Sequence, residues 1–236
     1  MRILALETTE AIGSVAAAVD GNLLLENQLD PQQRSAQSLA PAIQAVLKEV
    51  GWRPSDVELV AVTIGPGSFT GLRVGVVTAK SFAYGVGAQI LGVDTLLAIA
   101  AAAPDEVRRL SAAVDAQRGD VVAGLFRRES DGWCVHVGPA RLVPADTWLR
   151  ELPAEVPVTG PILRKFSERL PPGVRALDAA FWAPRAGNVA RVAAHLHAAG
   201  RRDDLWTLVP LYSRRPAAEE KWEEKQRKAG DVKRFR

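Results

Sequence analysis

The sequence predicts an α/β protein of two lobes, each grown from one copy of a duplicated βββ-αβα unit. Three observations point to it. Two apolar strand-like runs each end in an acid and a polar turn: Ile3 to Leu6 lead into Glu7-Thr8-Thr9, and Ala112 to Val114 lead into Asp115-Ala116-Gln117. Each is followed by a second apolar strand and a hairpin signal, residues 14–19 before Asp20-Gly21 and residues 121–126 before Asp131-Gly132. Glu7 and Asp115 lie 108 residues apart, nearly half of the 236-residue chain. The expected organisation is a first lobe over 1–103, a second over 104–213 and a charged tail over 214–236.

The remaining elements follow in chain order. Over residues 35–50, Leu39, Ile43, Val46, Leu47 and Val50 fall on one helical face, and Gly51 is placed to stop that helix. Residues 59–64 read as a buried strand, and a long helix-like run follows it from about 70 to 85. Small residues recur along that helix every four positions at Gly71, Gly75, Ala79, Ala83 and Gly87. Residues four apart share one face, so this stripe lets another element approach closely. Glycine inside a helix costs roughly 1 kcal/mol against alanine, so Gly75 needs a packing reason. Either the chain's own sheet or a second protein satisfies that need.

Between strand and helix stands Gly65-Pro66-Gly67-Ser68-Phe69-Thr70-Gly71-Leu72-Arg73. So many glycines at a strand-to-helix turn imply that the backbone itself is needed there, with Pro66 fixing one dihedral: either as a tight connection in an α/β sheet or as a surface where a ligand or partner lies against bare backbone. The string matches none of three familiar loops. A phosphate-binding Walker loop needs Gly-Lys-Ser/Thr, and here Gly71 precedes Leu72-Arg73. The dinucleotide fingerprint needs a glycine where Thr70 stands, and a nucleophile elbow starting at Gly67 puts Phe69 in the serine's place.

Composition narrows the class. The net charge of +3 belongs to the tail: residues 214–236 carry nine Lys/Arg against five Asp/Glu, and the rest of the chain sums to −1. A basic tail is compatible with RNA contact, which would show as a strong salt dependence lost on removing it. Glu223–Arg227 and Glu224–Lys228 are favourable four-apart pairs, so a short exposed helix around Trp222 is expected there. One cysteine, Cys134, excludes an internal disulfide and suits a reducing compartment. No apolar run reaches the roughly 18 residues a membrane span needs, so a cytoplasmic protein with no membrane contact is expected.

Paired hairpins with an acid at each first strand's end match the actin-like ATPase architecture (the ASKHA, ribonuclease H-like fold), where paired acids handle magnesium and phosphate across a cleft. Glu7, Thr8 and Asp115 are the candidate residues of such a cleft, here vestigial. Glu7 stands where aspartate is usual, and the nearest candidate for an adenosine loop is Thr159-Gly160-Pro161. An active ATPase or kinase therefore stays as an alternative. A metal glycoprotease-like enzyme is the other, but His195 and His197 are two apart and point to different sides of a helix, unlike a two-histidine helical clamp.

Five segments together resemble the bacterial TsaB (YeaZ) family: residues 3–8, Gly65 to Gly75, Gly92-Val93-Asp94-Thr95-Leu96, residues 114–121 and Pro210-Leu211-Tyr212-Ser213-Arg214. The resemblance is dense over 1–103 and thinner beyond. It implies an actin-like fold without catalysis of its own, no catalytic residues, no resident cofactor and no metal. The family's role is to stabilise and activate TsaD, which transfers threonylcarbamoyl to the adenosine beside the tRNA anticodon. TsaE, an ATPase, docks on that pair, and TsaC supplies the activated group. ATP and magnesium serve the wider complex, tRNA is met indirectly, and the chain alone is expected to form a homodimer. The first lobe is the partner-binding one, and mapped here the interface is expected to use Leu39, Ile43, Gly71, Gly75, Ala79 and Ala83. The loop motif carried over is Gly65, Pro66, Gly67, Ser68, Thr70 and Arg73. Two departures stand out: Ser35 replaces a histidine common in the family, and Glu7 replaces aspartate.

Overall fold

A computed structural model describes residues 1–33 and 35–214. The first sheet has the order β3-β2-β1-β4-β5, with β1 Arg2–Glu7, β2 Ser14–Val19, β3 Asn22–Gln28, β4 Leu59–Gly65 and β5 Gln89–Asp94. β1, β2 and β3 run antiparallel as a meander, while β4 and β5 continue from β1 in parallel. The parallel crossover is made by α2 (Phe69–Val86), and α1 (Ser35–Glu49) links β3 to β4.

β1 and β4 are buried on both faces, so their sequences are continuous apolar runs rather than alternating ones. The period of two still sorts the side chains. Leu4, Leu6, Val15, Ala17, Val60 and Val62 join α1 and α2 in one core. Ile3, Ala5, Ala16, Ala18, Leu59 and Ala61 face the opposite way. Gly51, with φ +70, ends α1 as expected: Trp52 N–H donates to Leu47 O at 2.8 Å around it.

The second sheet has the order β10-β6-β7-β8, with β9 also paired to β7. Its strands are β6 Arg109–Asp115, β7 Asp120–Arg128, β8 Cys134–His136, β9 Arg141–Pro144 and β10 Val158–Thr159. β6 and β7 are antiparallel and β10 is parallel to β6, as β4 is to β1. The order therefore repeats that of β4-β1-β2-β3, and the duplication read from the sequence is real at the level of topology. α3 (Thr95–Ala101) packs between the sheets, and α4 (Ala145–Glu151) and α5 (Leu163–Phe166) cover the far face of the second.

One expectation about lobe boundaries needs correction. α6 (Ala186–Ala198) lies within the segment 104–213, yet Ala186, Val189, Ala190 and Ala193 pack on the Ile3/Ala5/Ala16 face of the first sheet. Leu208 joins the first lobe's other core. The physical reason is that α1 and α2 cover one face of a sheet apolar on both; the chain must return to cover the other. None of the helices among the described residues is long and apolar enough to cross a membrane.

Candidate functional site

β1 ends in the turn Glu7-Thr8-Thr9, which lies beneath the loop 65–71. Glu7 is fully buried, and its Oε1 accepts from Thr9 N–H at 2.6 Å and from the Thr9 hydroxyl. Its Oε2 is buried without a partner. Burial pushes the Glu7 carboxyl up to about 8, against the pull of the Thr9 hydrogen bonds, with Glu10 and Glu26 adding repulsion. Burial thus favours the neutral form of this acid. Asp115, at the equivalent end of β6, is instead paired with Lys165 of α5 and accepts from Gln117 N–H at 2.8 Å. The two acids expected to share a cleft thus each have local partners, Thr9 for Glu7 and Lys165 for Asp115.

The glycines of the loop are explained by the chain itself. A Cβ on Gly71 or on Gly75 would fall inside 3.0 Å of Thr8, and one on Gly67 would lie 2.5 Å from Thr9 Cβ. Thr8 Oγ1 donates to Gly71 O at 2.8 Å, and Ser68 N–H donates to Thr9 O at 3.0 Å. Ser68 also caps α2, its hydroxyl accepting from Gly71 N–H at 3.2 Å. Gly65 (φ +129, followed by the cis bond to Pro66) is covered by Leu211, whose N–H donates to Ile64 O at 2.6 Å. Thr70 is exposed, and Arg73 stands over the Phe69 ring at 4.7 Å.

This placement corrects the interface read from the sequence. Gly71, Gly75, Ala79 and Ala83 are buried inward on α2, and Leu39 and Ile43 are buried on α1, with Ile43 still bordering a groove between the two helices. The stripe of small residues serves the close approach of α2 to the first sheet, where Gly75 sits over Thr8 and Val62. Four-residue periodicity records that something comes close; it does not record whether that something is foreign.

The helix pair nonetheless has an open side. Ile43, Gln44 and Leu47 of α1 and Thr78, Ser81 and Phe82 of α2 line a groove of about 740 Å³, with Trp52 also in its wall. Beside it Val77 and Tyr84 are exposed at 62% and 68%. Trp206, 71% exposed, meets Tyr84 edge-on with ring centroids 5.6 Å apart. Lys80 Nζ holds that segment to α2 by donating to Trp206 O at 3.0 Å and Leu208 O at 3.1 Å.

The family model for TsaD, tRNA N6-adenosine threonylcarbamoyltransferase, matches residues 29–155, just over half of the chain. The tRNA threonylcarbamoyladenosine biosynthesis protein TsaB of Escherichia coli is 35% identical over 56% of this chain and 58% of its own length. That of Bacillus subtilis is 29% identical over 96% of this chain and all of its own. The aligned stretch thus spans little more than half of the first relative and the whole of the second. YeaZ from Pseudomonas aeruginosa superposes with a TM-score of 0.78 at 27% identity, covering 89% of this chain and 99% of that one. This chain belongs to the TsaB (YeaZ) family.

Membership places the fold as well: a 2-hydroxyisocaproyl-CoA dehydratase activator from Clostridium difficile, solved with bound ADPNP, shares it at a TM-score of 0.50 and 9% identity. Within the TsaB-family chain, the three histidines are scattered. His195 stacks on Trp133 with centroids 3.9 Å apart, His197 Nε2 meets Gln89 Oε1 at 2.7 Å, and His136 lies 3.7 Å from Asp94. No group of three or more metal-ligating side chains occurs among the described residues. The tail helix expected around Trp222 lies outside them. Sequence reasoning missed Tyr84, Trp206 and Lys165. No periodicity marks an exposed Trp in an irregular segment, and Lys165 gains meaning only from the tertiary fold that sets it beside Asp115.

Proposed function

We propose that this chain is the non-catalytic partner of TsaD in threonylcarbamoyladenosine formation on tRNA, and that it docks through the open groove between α1 and α2. The observation that carries this reading is the groove itself: an apolar trough between two helices of the first lobe, flanked by exposed Val77 and Tyr84. Aromatic anchors beside a pre-formed apolar trough are the usual core of a protein interface. The same face would serve a homodimer when TsaD is absent. The names of the TsaB relatives support the pathway, and the family model shared with TsaD supports a paralogous partner. The burial that raises the Glu7 carboxyl and the pairing of Lys165 with Asp115 favour a partner role over an active ATPase. TsaE, ATP and magnesium then act in the assembled complex, and TsaC acts upstream of it.

The test is mixed-protein sizing with TsaD. Ser81→Arg and Val77→Arg place charge in or beside the groove at positions that the fold does not need. Both variants should stay folded and lose co-elution. Full assembly by folded Ser81→Arg would show that docking lies elsewhere. Turnover of ATP by the isolated chain, abolished in Asp115→Ala, would favour the kinase-like alternative.

A further inference from the structure

The two hairpin turns that open the repeats each extend an acid to a cation held by the opposite lobe. From the β1–β2 turn of the first lobe, Glu10 accepts a 2.6 Å hydrogen bond from Arg164, which sits on α5 of the second. From the start of β7 in the second lobe, just after the β6–β7 turn, Asp120 pairs with Arg214. Arg214 follows a segment seated on the first lobe, where Leu211 N–H donates to Ile64 O and the Tyr212 ring meets Phe69 at a tilt, with centroids 4.7 Å apart. Both acids are largely shielded, Glu10 at 20% and Asp120 at 25% exposure, and Arg214 is at 22%. Lys165, adjacent to Arg164, meanwhile engages Asp115. All three acids lie in or beside the hairpin turns of the two repeats.

We infer that Glu10–Arg164 and Asp120–Arg214 form a reciprocal charge latch that fixes the angle between the lobes and opens with ionic strength. Each pair ties the turn region of one repeat to an arginine seated on the other lobe. The strap 208–214 crosses the loop that starts α2, so the latch also governs how firmly that loop is covered. The inference does not depend on which partner docks at α1 and α2.

Single-molecule energy transfer reads the angle directly, at concentrations too low for self-association. Dyes go on Gln37→Cys in the first lobe and Arg150→Cys in the second, both exposed, while Cys134 is buried. Each broken pair should raise the open fraction up to about fivefold, the ratio for a partly exposed ion pair. Glu10→Arg should shift the transfer distribution, the swap Glu10→Arg with Arg164→Glu should restore it, and salt should shift the wild type the same way. If Glu10→Arg fails to fold, Glu10→Gln with the wild-type salt titration reads the same quantity. An unchanged distribution in the single variant, or a swap as open as the single, overturns the latch.

Discussion

Replacing Glu7 by glutamine keeps the shape of the buried side chain and removes its titration. The structure sets the size of the effect. Glu7 is fully buried, its carboxyl is raised from 4.5 to about 8, and its immediate charged neighbours, Glu10 and Glu26, are acids. A carboxyl whose folded pKa is raised keeps its proton in the native state over a range where the unfolded chain has lost it. Stability is therefore full below about 4.5 and falls as pH climbs to about 8, at roughly 1.4 kcal/mol per pH unit. Between pH 5 and pH 7.5 this one residue should remove about 3 kcal/mol from the wild type. In Glu7→Gln the new amide oxygen should accept from Thr9, and the variant should show none of that slope. Urea unfolding of both proteins at pH 5, 6.5 and 7.5 measures it. The expected result is a stability difference that swings by about 3 kcal/mol in favour of the variant as pH rises. A difference that stays constant within about 0.5 kcal/mol would show that Glu7 is already ionised in the fold, and the neutral-acid argument would fail.

Other outcomes follow from the same geometry. Gly71→Ala drives a Cβ into the Thr8 carbonyl and should cost about 2–4 kcal/mol, seen as a fall in thermal midpoint, because backbone must shift; Gly75→Ala drives one into the Thr8 hydroxyl, which must give up its hydrogen bond to Gly71 O, and should cost about 1–3 kcal/mol by the same assay. Asp94→Ala removes the cap that Leu97 N–H donates to at 2.7 Å and should cost about 1 kcal/mol by the same assay. Trp206→Ala should leave the melting temperature nearly unchanged, given 71% exposure, while weakening partner binding if the aromatic edge of the groove is used.

Much of this protein could be read without coordinates. The duplication showed in the paired acids Glu7 and Asp115, and the strand β4, the loop and the helix α2 showed in one apolar run followed by glycine and a four-residue stripe. Those signals are local, and hydrophobic period and turn chemistry write them directly into the chain. Direction across the fold is another matter. That Gly75 faces Thr8, that α6 returns to the first sheet, and that Lys165 meets Asp115 all depend on residues distant in sequence. The tertiary structure alone decided them, because a small side chain permits close approach from any neighbour, and only folding chooses which neighbour arrives.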